Sequence, residues 1–127
     1  MKNTNPEQII EGVRNQLKDI LDGSQQAIYV YLDDTHKICN PKFAAMLGYG
    51  STGEWENVKR PFADTFVAPA SQHALVSTYQ SAMTQRAGSV VEVTWKKKSG
   101  GQVATNVILV PFSYQNELLA LHFLTTT

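Results

Sequence analysis

The sequence predicts an α+β fold: a five-stranded antiparallel sheet with helices on one face, preceded by an amphipathic helix. Three observations lead there. Apolar residues recur at helical spacing through residues 6–21. Two short runs of β-branched and aromatic residues follow at 26–33 and 37–39. After a stretch of small helical pieces and one long helix, three longer runs of the same kind occupy 90–97, 103–112 and 118–124.

The first helix carries Ile9, Ile10, Val13, Leu17, Ile20 and Leu21, and the glycine and serine of Asp22-Gly23-Ser24 stop it. Within it Ile10, Val13, Leu17 and Ile20 step by 3, 4 and 3, the seam of a short coiled coil. Two readings follow: the stripe packs on its own domain, or these four residues form a dimerisation surface. The expected division is a helical segment over residues 1–23, as a candidate dimerisation element, and a folded domain over 24–127.

In the first strand Ile28, Val30 and Leu32 share one side, with Tyr29 and Tyr31 on the other. Asp33-Asp34-Thr35-His36 reads as a turn. With no further carboxylates or histidines at ligand spacing, its aspartates are turn residues and no metal site is expected. Residues 69–87 form the long helix, presenting Leu75, Val76, Tyr79, Ala82 and Met83 on one face, with Gly88 closing it. Ser99-Gly100-Gly101 turns the following hairpin. The run Val107-Ile108-Leu109-Val110 is apolar on both faces, so the sheet is expected to be covered on both sides, by the central helices and by the N-terminal helix or a partner.

Residues 40–53 support two incompatible readings. Gly48, Gly50 and Gly53 spell the G-x-G-x-x-G of a dinucleotide turn, which needs a strand before it and a long helix after it. The order here is reversed. Asn40 is an N-cap, Pro41 suits the first helical position, Phe43, Ala44, Met46 and Leu47 form an apolar stripe, and Gly48 is a C-cap glycine. The glycines are a helix stop and a loop.

Composition sets the outer limits. At 127 residues the chain suits one domain, and 43% hydrophobic with 17% charged residues is ordinary for a soluble globular protein. Eleven basic and eleven acidic side chains cancel, so no global field draws nucleic acid or an anionic membrane. Lys96-Lys97-Lys98 is a solvated hairpin tip. The single cysteine, Cys39, fits a reducing compartment, and the polar residues 1–6 show no apolar signal region. A cytoplasmic location is expected. No nucleophile elbow, His-Glu-x-x-His or Cys-x-x-Cys occurs.

The order of elements, with Asp33, Asn40, Pro41, Phe43, Leu47-Gly48-Tyr49, Phe66-Val67-Ala68-Pro69 and Lys97 before Gly100-Gly101, resembles the PAS domain over roughly residues 24–126. The short interval from Ile38 to Asn40 departs from the usual pattern and implies a clipped second strand. The resemblance implies a sensory or signal-transduction module that binds a small ligand or serves as a dimerisation surface, without catalysis of its own. The implied pocket lies between sheet and long helix, lined by Phe43, Phe66, Leu75, Tyr79 and Asn106. A homodimer, and a signalling partner or an output domain outside this sequence, are the implied partners.

Cofactors separate by signature. A flavin photosensor of the LOV type needs a cysteine within the helix after the second strand, and Cys39 precedes that helix. A haem member would place its ligand on the long helix, where His73 falls off the Leu75-Tyr79-Met83 stripe and points away. His36 and His122 are scattered. The enzyme alternative is a small α+β cone of the ketosteroid-isomerase type, with Asp64 as base and Tyr79 as donor; the two-strand start argues against it.

Overall fold

The structure is a computed structural model that describes residues 5–127. Residues 1–4, the start of the expected helical segment and most of its polar lead, lie outside the described residues. Helices α1 (Pro6–Gln16) and α2 (Lys18–Gly23) form the N-terminal segment. Asn5 caps α1 reciprocally: Asn5 Oδ1 accepts from the Gln8 amide at 2.8 Å, and Gln8 Oε1 accepts from the Asn5 amide at 3.2 Å. One helix was expected across this segment. Instead Leu17, at φ −98° and ψ 11°, flattens the turn and divides it. Amide-to-carbonyl bonds from Leu17 to Val13 and from Leu21 to Leu17, both 2.9 Å, carry the hydrogen bonding across the break.

The remaining elements are β1 (Ala27–Asp33), β2 (His36–Cys39), α3 (Pro41–Met46), α4 (Thr52–Glu56), α5 (Phe62–Phe66), α6 (Pro69–Gln85), β3 (Ser89–Lys96), β4 (Gln102–Tyr114) and β5 (Glu117–Thr126). The five strands form one antiparallel sheet in the order β2-β1-β5-β4-β3. β5 therefore joins the two halves of the chain, pairing Tyr29 with His122 on one side and His122 with Leu109 on the other. β2 is short, as the interval before Asn40 implied, and the pairing shifts register between Tyr31 and Asp33. The β4–β5 turn places Gln115 and Asn116 at positive φ, the geometry that keeps two twisted strands in register through a two-residue loop.

Each face of the sheet has its own core. On the inner face Tyr29, Phe43, Trp55, Phe62, Phe66 and Trp95 pack ring against ring beneath α3–α6. On the outer face Ile9, Ile10, Val13, Leu17 and Leu21 pack on Ile28, Val30, Ile38, Leu119 and Leu121. Three of the four seam residues, Ile10, Val13 and Leu17, are thus buried against the chain's own sheet, and Ile20 alone stays substantially exposed. Coverage of the outer face is incomplete: Val90 is 70% exposed and Ile108 45%, and the two pair directly across β3 and β4. The expectation of a sheet covered on both sides holds for β1 and β5 but not for the β3 edge, which α1 does not reach.

The stretch from 40 to 53 resolves as capped helices. Asn40 Oδ1 accepts from the Phe43 amide at 3.0 Å, and Gly48, at φ +83°, ends α3. The Gly48 amide bonds Ala45 O at 3.0 Å and the Tyr49 amide bonds Ala44 O at 2.9 Å, a Schellman closure that needs the left-handed glycine. Ser51 then caps α4, with Gly53 inside it, so no strand leads into the glycines. α6 ends earlier than expected. Arg86, at φ 54°, takes the left-handed cap position that Gly88 was expected to close.

Gly12 faces Tyr114, and a Cβ at Gly12 would lie 2.1 Å from the Tyr114 hydroxyl and 2.5 Å from its Cζ. Helix propensity favours alanine over glycine by about 1 kcal/mol, yet Gly12→Ala must displace a rigid ring. We expect it to destabilise by about 1–2 kcal/mol in urea unfolding. A Tyr114→Ala background should reverse the sign, and additive effects in the double-mutant cycle would refute this contact.

Asn40→Ala removes a helix cap together with the partner of a buried strand amide. The expected cost is about 2–4 kcal/mol, read as a lowered urea midpoint with an unchanged slope. A loss no larger than that of a surface substitution would show that the contacts of Asn40 are dispensable.

Candidate functional site

The aromatic inner core fills the middle of the space between sheet and helices, and one opening remains at its edge. A cleft of about 280 Å³ is bounded by Tyr29, Tyr31 and His122 from the sheet, by Pro61–Asp64 at the start of α5, and by Leu75, Val76, Tyr79 and Gln80 of α6, with Asp34 at the β1–β2 turn. Strand alternation puts Tyr29 and Tyr31 on this face, as the sequence indicated, and the 3.6-residue period of α6 presents Leu75, Val76 and Tyr79 to it.

The rings are arranged at right angles. Tyr31 and Tyr79 stand 5.5 Å apart at 89°, and Tyr31 and Phe62 5.2 Å apart at 75°, edge-to-face geometries that complement the ring quadrupoles. The Tyr31 hydroxyl donates to Asp34 Oδ1 at 2.6 Å. Burial, then that hydrogen bond and the Asp34 charge, push the Tyr31 phenol well above its ordinary range. Burial also raises Tyr79, followed by the charges of Asp33 and Asp34. Both phenols are neutral donors at any physiological pH.

His122 is 2% exposed and lies flat on Tyr29, with ring centroids 3.9 Å apart and planes 9° apart. Burial lowers its pKa to about 3, outweighing the nearby backbone carbonyls of Tyr29 and Ala120 that favour its charged form. The imidazole is neutral, and its Nδ1 has no hydrogen-bond partner among the described residues.

The sequence-chosen residues separate. Leu75 and Tyr79 line the cleft. Phe43 and Phe66 are fully buried in the aromatic core, Phe43 against Tyr29 and Trp55 and Phe66 against Trp55 and Phe62. Asn106 requires correction: it is exposed, on the outer face, because Thr105 and Val107 take the inward positions of β4 and alternation turns Asn106 away. Asp64 and Tyr79, the acid and donor of the enzyme alternative, both line the cleft. His73 is exposed on α6 outside the cleft lining, so it is not placed as an axial ligand to anything held there. Cys39 is buried away from the cleft, its thiol pushed up by burial. Among the described residues no group of three or more histidines, cysteines and carboxylates could hold a metal ion, and no helix is long and apolar enough to cross a membrane.

A second arrangement escaped the sequence. Arg14 of α1 forms a forked ion pair with Glu56 of α4, Nη2 to Oε1 at 2.8 Å and Nη1 to Oε2 at 3.3 Å, and Glu56 Oε2 also accepts from the Cys39 amide at 3.1 Å. Beside it the Lys37 ammonium donates to Val58 O at 2.6 Å and sits 5.0 Å from the Trp55 ring centre, with its pKa lowered by burial to about 8. This latch ties the N-terminal helix to β2 and α4. Residues 14 and 56 lie too far apart in the chain for any local pattern to link them.

No protein-family model matches the chain, and none of the curated proteins matches it significantly. Solved structures do. A PAS domain of a Colwellia psychrerythraea protein superposes with a TM-score of 0.71 at 19% identity, covering 91% of this chain and 97% of its own. A PAS domain from a two-component sensor histidine kinase gives 0.69 at 9% identity, covering 92% and 99%. The chain has the PAS fold. The PAS domain of an HTR-like protein from Haloarcula marismortui gives 0.66 at 22% identity, covering 93% and 94%. The PAS assignment displaces the cone-shaped isomerase as a fold for this chain.

The His122 site has a pH signature. Its pKa falls from 6.5 in the unfolded chain to about 3 in the folded one, so below pH 6.5 the unfolded state binds a proton that the native state refuses. The His122 contribution is constant above pH 6.5 and is lost as pH falls toward 3, with a slope of up to about 1.4 kcal/mol per pH unit. Urea unfolding between pH 7 and 4 should show a shallower acid loss in His122→Gln than in the wild type. Parallel curves would place the histidine in a solvated setting.

Proposed function

We propose that this PAS-fold chain is a sensory and signal-transduction module without catalysis of its own. It binds a small ligand in the α6–sheet cleft and passes occupancy through the sheet to the N-terminal helix. One observation supports this above the others: a cleft of about 280 Å³ opens between α6 and the sheet, walled by aromatic side chains and the neutral imidazole of His122. The route out is short. His122 and Tyr29 are register partners on β5 and β1, and the neighbouring residues Ile28, Val30 and Leu121 carry α1 on the opposite face. A ligand that moves β1 or β5 therefore acts directly on the surface beneath α1, and the Arg14–Glu56 pair is the contact whose strength sets how readily α1 responds.

The output of such a module would be a second copy of the chain, a signalling partner or a further domain. Because α1 already buries Ile10, Val13 and Leu17 on its own sheet, a dimer through them requires α1 to leave the sheet, whereas Ile20 is exposed in place.

Val76 stands at the cleft and is 41% exposed, so Val76→Trp should fill the opening without disturbing the core. In a fragment screen followed by amide NMR, hits should perturb residues around His122, Tyr31 and Leu75 in the wild type and lose those shifts in Val76→Trp. Hits that cluster elsewhere, or that bind equally well to the tryptophan variant, would dismiss the cleft as the ligand site.

A further inference from the structure

The cleft carries a charge pattern that narrows its ligand. Two aspartates, Asp34 and Asp64, line it, and among the described residues no lysine or arginine does. Neither carboxylate takes part in an ion pair among the described residues. The nearby ammonium groups are directed to backbone instead, Lys37 toward the Asp34 carbonyl at 3.5 Å and Lys96 onto the Asp64 carbonyl. The charges of Asp33 and Asp34 reach the Tyr31 and Tyr79 phenols and help hold them protonated, although Lys37 also lies close enough to Asp34 to feel its charge.

Aromatic faces complete the setting. Tyr31, Tyr79 and Phe62 meet edge-to-face, and rings beside carboxylates are the surroundings in which an organic ammonium is held by cation–π attraction and charge together. An anionic ligand would meet two carboxylates in the lining, with the nearby Lys37 and Lys96 ammonium groups already engaged on backbone carbonyls. At the wall, the neutral imidazole of His122 can donate or accept one hydrogen bond. At about 280 Å³ the volume falls at the small end of ligand sites, which suits a single ring with a short chain.

We infer that the cleft takes a small arylalkylamine, its ammonium held by Asp34 and Asp64, its ring against Phe62, Leu75 and Tyr79, and a ring hydroxyl on His122. This rests on the reading of the cleft as the ligand site and specifies the chemical class it selects. Anions are rejected by the carboxylates, neutral phenols lose the charge contact, and amines without a ring hydroxyl leave the His122 nitrogen unpartnered.

The test uses the whole chain and four probes of one shape: tyramine, its neutral analogue 4-ethylphenol, its anionic analogue 3-(4-hydroxyphenyl)propionate, and phenethylamine, which lacks the hydroxyl. Calorimetry at pH 7 with amide NMR should show tyramine binding in the cleft at least about tenfold tighter than 4-ethylphenol, a difference of about 1.4 kcal/mol. The propionate should be the weakest, and phenethylamine should lose several-fold in affinity. In the double variant Asp34→Asn with Asp64→Asn, tyramine should fall to the level of 4-ethylphenol while 4-ethylphenol is unchanged, with circular dichroism reporting the fold.

Equal binding of the charged and neutral probes in the cleft overturns the cation assignment and leaves the ligand-site reading standing. Phenethylamine matching tyramine overturns the role given to His122. Tyramine shifts outside the cleft overturn the inference, and the absence of cleft shifts from all four probes counts against both readings.

Discussion

Asn40 places one carboxamide between two parts of the chain that have no covalent reason to stay together. Its Oδ1 accepts from the Phe43 amide at 3.0 Å, capping α3, and from the Ile28 amide at 2.9 Å in β1, while its Nδ2 donates to Gln26 O at 2.9 Å. The side chain is fully buried, so each of these groups would otherwise face an apolar interior unpaired. The Asn40 amide also bonds Ile28 O at 3.0 Å. Strand β1 and helix α3 are thereby locked in one orientation, and Phe43 is delivered onto Tyr29 with ring centres 4.9 Å apart. Everything on the inner face is built against that pair.

From there the aromatic core grows outward and then runs out. Trp55 packs on Phe43 at 4.8 Å, Trp95 on Tyr29 at 5.6 Å, and the Trp95 indole N–H donates to Thr105 Oγ1 at 2.9 Å, which in turn donates to Val93 O. Rings of this size fill the centre of the space under α3–α6. The side of Tyr29 that carries His122 is left facing the cleft, beneath the exposed flank of α6. The opening is thus confined to the margin of the core, lined by a stacked imidazole, two phenols and two carboxylates. The outer face obeys a different logic: aliphatic side chains hold α1, and a forked ion pair ties Arg14 to Glu56.

Much of this was legible residue by residue. Alternation in β1 assigned Ile28, Val30 and Leu32 to one face and Tyr29 and Tyr31 to the other, because a strand has period two whatever surrounds it. The cap pattern from Asn40 to Gly48 was legible for the same reason: end groups of a helix need local partners and a left-handed stop. The three glycines from 48 to 53 imitate a phosphate loop, but the order of the elements around them already excluded it, and Gly48 is the helix stop. Elsewhere local signals misled. Asn106 belongs to the pocket that the resemblance implies, although the buried Thr105 beside it fixes the opposite phase. Trp55 and Phe62, two of the main core rings, lie in short polar-looking segments whose burial depends on what folds over them.

The amino-acid sequence by itself determined the element order, the capped helix at 40–48, the two-faced character of β1 and the PAS resemblance, all of which depend on contacts within a few residues. Tertiary structure alone decided the rest. Insertion of β5 between β1 and β4 put His122 against Tyr29, the return of α1 onto the outer face buried the seam that reads as a coiled coil, and the filling of the inner space by rings moved the opening to the α6 edge. Each of these pairs residues distant in the chain, and which apolar stripe meets which face is settled only when all of them compete for the same buried surface.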